Sequence, residues 1–177
     1  MTRATMTCAT AVPTNSALPP LPRIAAAILP VVLTAAVGSL STGSNIEGWY
    51  RTIEKPAYNP PDWLFPIAWT VLYAMIALSL WRLIGQRPVV GPARRAWWLT
   101  LAAFAAQLAL NAAWTPVFFA AHAIGPALIV SAAMLVMILW TIRLSWRFDR
   151  PAAWLLVPYA AWVAFATWLN GVIWQMN

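Results

Sequence analysis

Three short stretches of this 177-residue chain carry the side chains with chemistry to offer. Gln107, Asn111 and Trp114 stand at i, i+4 and i+7, so two amides and an indole share one helical face, with Thr100 seven residues before Gln107 on it. Pro66, Trp69 and Tyr73 recur at i, i+3 and i+7, and Tyr159, Trp162 and Ala166 repeat that spacing, with Phe165, Leu169 and Asn170 adjoining. Drawn together, Trp69, Tyr73, Asn111, Trp114, Tyr159 and Trp162 would wall a flat, apolar cavity whose few N–H and O–H groups could orient a carbonyl or carboxylate. Such a make-up suits a planar hydrophobic ligand, because ring faces supply area and stacking while a few polar groups supply direction. The same residues admit a plainer use: Trp and Tyr near span ends form interfacial belts, and an Asn inside a span ties helices together.

Other chemistries are excluded by what the stretches lack. Glu47, Glu54, Asp62 and Asp149 all fall in loops or at span ends, and His122 stands by itself beside Gly125-Pro126. Proton-coupled transport places an ionisable group at membrane depth, and no apolar run here contains one. A glycine-rich phosphate cradle is missing, which argues against nucleotide-driven pumping. One cysteine, Cys8, and one histidine form neither an intramolecular disulfide nor a Cys/His metal cluster, so no metal and no cofactor are expected.

The elements that must hold these residues are membrane helices. The chain is 62% hydrophobic and 8% charged, against about 25% charged in soluble domains. A span takes roughly 20 apolar residues at about 1.5 Å each. The uncharged runs supply five, at about 22–41, 62–83, 96–119, 125–144 and 151–175, which predicts an all-α integral membrane protein with a five-transmembrane-helix bundle. Nine basic residues flank one side (Arg3, Arg23, Arg82, Arg87, Arg94, Arg95, Arg143, Arg147 and Arg150) and two the other (Arg51 and Lys55). That asymmetry puts the N-terminus in the cytoplasm and the C-terminus outside. The net charge of +7 then reads as topology and contact with anionic lipid headgroups, not as a nucleic-acid patch.

Residues 1–20, broken by Pro13, Asn15, Pro19 and Pro20, read as a disordered cytoplasmic tail and not as a cleavable signal. Pro30 predicts a kink in the first span. Between the first two spans, Ser41 to Asp62 makes a long connection able to fold over the bundle mouth. Within the run Trp49 to Tyr73, Lys55-Pro56 and Asn59-Pro60-Pro61 exclude a helix from the first half, and the second half continues as an aromatic helix. In the third span Gln107 and Asn111 must face inward, since unpaired amides are costly in lipid. Its alanines (Ala102, Ala105, Ala106, Ala109 and Ala113) allow close packing, either in a homodimer through this span or within one chain.

Three blocks, WYxxxEKPxxNPPxWxFPxAWTxLY (Trp49 to Tyr73), QLxLNxxWTPxFF (Gln107 to Phe119) and PYxxWxxFAxxLN (Pro158 to Asn170), resemble the translocator protein family, also called tryptophan-rich sensory proteins or peripheral benzodiazepine receptors. The resemblance implies a five-helix bundle, commonly dimeric, whose pocket beneath the first loop binds porphyrins such as protoporphyrin IX and drug-like ligands. By motif, the pocket residues would be Tyr50 and Pro60 in the loop, Trp69 in the second span, Asn111 in the third, and Trp162 and Ala166 in the fifth. Trp69 and Asn111 would donate hydrogen bonds to the ligand, and Trp69 and Trp162 would be the tryptophans tied to light-dependent porphyrin breakdown. A sensory or regulatory binder, a porphyrin-degrading activity and an uncoupled lipophilic carrier all fit that resemblance. The animal cholesterol motif needs Lys or Arg shortly after a tyrosine in the fifth span, and none follows Tyr159, which argues against cholesterol binding by that route.

Overall fold

A computed structural model describes residues 20–88 and 90–177, with the side chains of 44–47 left aside. The expected tail, Cys8 included, lies almost wholly outside the described residues. The chain runs α1 (Pro20–Glu47), α2 (Trp49–Thr52), α3 (Leu64–Gly85), α4 (Gly91–Thr115), one π-helical turn (Pro116–Ala120), α5 (Ile124–Ser145), α6 (Arg150–Leu155) and α7 (Val157–Met176). Among the described residues, five segments are long and apolar enough to cross a membrane: Pro20–Gly43, Leu64–Gly85, Gly91–Ala120, Ile124–Ser145 and Arg150–Met176. Length and apolar content thus carry the architecture that the uncharged runs predict.

Three boundaries differ from the sequence reading, each for a backbone reason. α1 continues to Glu47, and Trp49–Thr52 forms a further helical turn. The prolines bar helix only from Lys55 onward, since their effect reaches back one residue; the first half of the Trp49–Tyr73 run is therefore partly helical. α4 ends at Thr115 because Pro116 has no N–H to give, and the register widens so that Ala121 N–H reaches Pro116 O at 2.9 Å. The fifth crossing is two helices stepped at Leu156, whose N–H bonds Ala153 O at 3.1 Å, because Pro158 cannot continue the ladder. Pro30 lies inside α1 without ending it.

Hydroxyls at membrane depth are largely satisfied by their own helix. Thr34 donates to Pro30 O, Thr70 to Pro66 O, Thr100 to Ala96 O and Thr141 to Met137 O, all one turn back at 2.7–2.9 Å. Such bonds remove the cost of a hydroxyl in lipid and leave it no other task.

One end of the bundle is tied by polar contacts between helix termini. Arg82 of α3 holds both carboxylate oxygens of Asp149, which also accepts from Gln86 Nε2 and caps α6 through the Ala152 N–H. Ser79 donates to Ala152 O, Trp97 of α4 to Leu83 O, and Arg23 of α1 to Trp81 O, with its guanidinium over the Trp81 ring at 4.2 Å. Gly85 makes room for that guanidinium: a Cβ there would stand 2.1 Å from an Arg23 nitrogen. Above this end, Ile76, Phe104, Leu108, Met134, Ile138, Tyr159 and Val163 fill the core. Of the alanine face on α4, Ala102, Ala105, Ala109 and Ala113 are exposed, so packing within the chain does not use them.

Candidate functional site

The three patterned faces converge in the half of the bundle opposite the arginine-rich end. Asn111 is buried at its centre with both amide atoms engaged: Tyr73 Oη donates to Oδ1 at 3.0 Å, and Nδ2 donates to Tyr159 Oη at 2.9 Å. Tyr159 in turn donates to the Met134 thioether at 3.4 Å. The amide thereby ties α3, α4, α5 and α7 together at one depth. Both phenols lean on Trp69, with ring centroids at 5.2 Å to Tyr73 and 6.2 Å to Tyr159.

One turn towards the mouth a second rung joins the same two helices, Phe65 against Trp162 at 5.9 Å and near right angles. Aromatic contact then climbs α7 from Trp162 to Phe165 and Trp168, and Tyr58 of the loop stacks on Trp168 at 4.9 Å. The backbones of α3 and α7 approach in few places, whereas α5 packs closely against both α4 and α7. Rings therefore span the α3–α7 gap, and a flat ligand could replace ring–ring contact with ring–ligand contact at little cost in area. The Trp162 Nε1 is buried without a hydrogen-bond partner among the described residues, a donor left over in an otherwise apolar wall. Ala166, one turn further along α7, is half-buried.

Two expected residues lie elsewhere. Trp114 turns from Asn111 to stack on Phe118 at 5.1 Å, and its indole donates to Asn170 Oδ1 at 3.2 Å, while Asn170 Nδ2 donates to Ile124 O. Tyr50 joins that second cluster, buried against Phe118 and Phe119 beneath Trp49. Its hydroxyl reaches Asn59 Oδ1 at 3.4 Å; burial pushes the phenol above its ordinary range, against the lowering effect of that hydrogen bond, so it stays a donor. His122 stacks on Trp49 at 4.4 Å with φ of 53°, a left-handed conformation that costs a non-glycine residue about 1–2 kcal/mol.

The loop is fastened over both clusters. Lys55 gives its ammonium to Tyr50 O and Ile53 O and lies over the Tyr50 ring, and Asn59 Nδ2 donates to Pro60 O. At its far side, the Asn177 side chain both accepts from Glu54 N–H at 3.0 Å and donates to Glu54 O at 3.1 Å.

Phe65, Met134 and Trp168 belong to the site without having been singled out. Phe65 was legible, since Phe65, Trp69 and Tyr73 repeat at i, i+4 and i+8. Gln107 faces inward as the stripe requires, yet neither of its amide atoms has a hydrogen-bond partner among the described residues. Replacing it with leucine is expected to leave stability unchanged or raise it by about 1 kcal/mol, because an unpaired buried amide is a net cost. Thermal unfolding in detergent measures this, and a loss beyond about 1 kcal/mol would reveal a bridging partner.

Similarity to known proteins runs over most of the chain. Residues 26–175 match the model of the TspO/MBR family. The chain is 33% identical over 151 residues to protein CrtK of Rhodobacter capsulatus, covering 82% of this chain and 89% of that protein. It is 36% identical over 140 residues to the tryptophan-rich protein TspO of Chlorobaculum tepidum, covering 79% and 86%. With the translocator protein of Ovis aries it shares 37% identity over 138 residues, covering 73% and 75%.

Proposed function

Because the chain belongs to the TspO/MBR family of multi-pass membrane proteins, we propose that it binds a porphyrin such as protoporphyrin IX in the α3–α7 gap, in a sensory or regulatory role. The observation that carries this reading is the Trp162 indole N–H, unpaired among the described residues, on a ring packed against Phe65 and Phe165. A planar macrocycle would slide between the rungs, and a propionate or ring substituent would take that proton donor. Asn111 supports the wall: its amide is committed to two tyrosines, so its main part is to fix Tyr73 and Tyr159 behind Trp69. Tyr50, Pro60 and Ala166 set the edge of the site through the loop and the upper turn of α7. The arginine-rich end would face the cytoplasm, as nine basic residues against two require.

Titration with protoporphyrin IX, followed by quenching of tryptophan fluorescence, tests the pocket. Trp162→Phe keeps the ring and removes the donor, and is expected to weaken binding about tenfold, the worth of roughly one hydrogen bond, with unchanged thermal unfolding. Equal affinity in that variant removes the basis of the assignment. Photodegradation is the second reading, favoured by Trp69 standing in contact with two phenols, a set of oxidisable side chains beside any bound pigment. Under illumination, Trp69→Phe and Trp162→Phe should then bleach the pigment more slowly; equal bleaching leaves binding alone.

A further inference from the structure

The two ends of the bundle differ in how their charges are balanced. At the end where α3 closes and α4 and α6 begin, Asp149 is the one carboxylate among the described residues, and Arg82 occupies both its oxygens at 3.0 Å. Arg143 in the last turn of α5, Arg147 in the connection and Arg150 at the start of α6 are exposed, and their guanidinium groups make no hydrogen bond or ion pair with any described residue. Within the same corner Trp146 and Trp154 lie ring to ring at 5.5 Å and remain 38% and 60% exposed. Three guanidiniums without a counter-charge among the described residues thus share this corner with an exposed indole pair at the edge of a membrane span. At the opposite end there are only two basic residues: Lys55 is held by two backbone carbonyls, and Arg51 shares the end with Glu54 and Asp62.

We propose that the α5–α6 corner is a binding site for one acidic phospholipid of the adjoining leaflet. Arg143, Arg147 and Arg150 would take its phosphate, for which a guanidinium's planar fork is matched in geometry and charge. Trp146 and Trp154 would cover its glycerol and first acyl carbons, the depth at which indoles are stable in a bilayer. The charge that the protein does not supply is then supplied by the lipid, as basic pockets between membrane helices do for acidic headgroups.

Native mass spectrometry of the full chain tests the site, using phosphatidylglycerol and phosphatidylcholine of the same acyl chains. A phosphatidylglycerol adduct should survive at collision energies that strip phosphatidylcholine, and Arg143→Gln/Arg147→Gln should lower its retention at least about fivefold. Arg51→Gln/Arg95→Gln removes the same charge elsewhere and should retain the lipid. Equal loss in both double variants would reduce the effect to net charge and overturn the proposal, as would full retention in the first. Displacement of the lipid by inorganic phosphate would also overturn it, since the site would then need no acyl chain. Trp154→Leu, on the exposed side of α6, provides a second variant should the arginine pair fail to fold; it should lower retention with Arg143, Arg147 and Arg150 intact, and unchanged retention there counts against the site.

Discussion

Replacing Asn111 with leucine is expected to destabilise the bundle by about 2 kcal/mol. Interhelical hydrogen bonds in membranes average about 0.6 kcal/mol each, so losing two of them accounts for a little over half of this. The remainder comes from Tyr73 Oη, left without its acceptor, and Tyr159 Oη, left without its donor. A companion variant separates the two contributions. Asn111→Leu/Tyr73→Phe/Tyr159→Phe removes all three polar groups together and should recover much of the loss, because deleting both partners of a buried hydrogen bond is close to neutral. Unfolding by detergent titration reads both. If the triple variant is as unstable as the three single losses summed, Asn111 is not the hub that the geometry makes it. Porphyrin affinity should fall in the single variant as well, since Trp69 loses the fixed phenols on which it leans.

The second large effect is expected at the arginine-rich end. Burial alone would raise the Asp149 carboxyl, but hydrogen bonds from Arg82, the Ala152 N–H and Gln86, together with the Arg82 charge, hold it below the usual carboxylate range. Its folded value is therefore lower than its unfolded one. The stability it contributes is complete above the unfolded value of about 4 and is lost as pH falls through the folded value. Thermal unfolding should be level from neutral pH down to about 5 and fall steeply below about 4. Arg82→Met should lower stability at neutral pH by about 2 kcal/mol, less than the 3–5 of a fully buried broken pair, because the Arg82 side chain is 35% exposed. The same substitution should flatten the acid limb, because the Asp149 carboxyl then rises toward its unfolded value and the two states bind protons alike. Asp149→Asn in the Arg82→Met background should restore part of the loss at neutral pH, since it removes a carboxylate left without its cation while an asparagine oxygen can still cap Ala152. A double variant no better than the single one would mean that packing of the Arg82 stem, not its charge, holds α3 to α6.

How far each feature was legible follows from the range of the forces behind it. The inward turn of Gln107 and Asn111 was readable because lipid penalises an amide on any outward face, whatever the neighbours are. The partners of Asn111 were not: Tyr73 and Tyr159 lie 38 and 48 residues away, and the helical period fixes a face without fixing the rotation of the helix opposite. Trp114 shows the limit. It shares a stripe with Asn111, yet Pro116 opens the following turn, brings Phe118 and Phe119 under Tyr50, and Trp114 follows them towards Asn170. The step at Leu156 is written in Pro158, and the reach of α1 to Glu47 and the turn at Trp49–Thr52 in the absence of proline between Pro30 and Pro56; neither carries a hydropathy change that would mark it.

By itself, then, the sequence determined the solvent of each segment and hence the five crossings, the gathering of arginines at one end, and the faces that carry indoles and amides. Hydropathy and helical period suffice for these, because each acts within about 20 contiguous residues. Only the tertiary structure decided which polar groups would be used up and which left over. Tyr73 and Tyr159 consume Asn111, Asn170 consumes Trp114, Arg82 consumes Asp149, while Trp162 Nε1 and the guanidiniums at 143, 147 and 150 find no partner among the described residues. Hydrogen bonds saturate one donor at a time, so the groups open to a ligand are defined by the pairs that form first between helices distant in the chain.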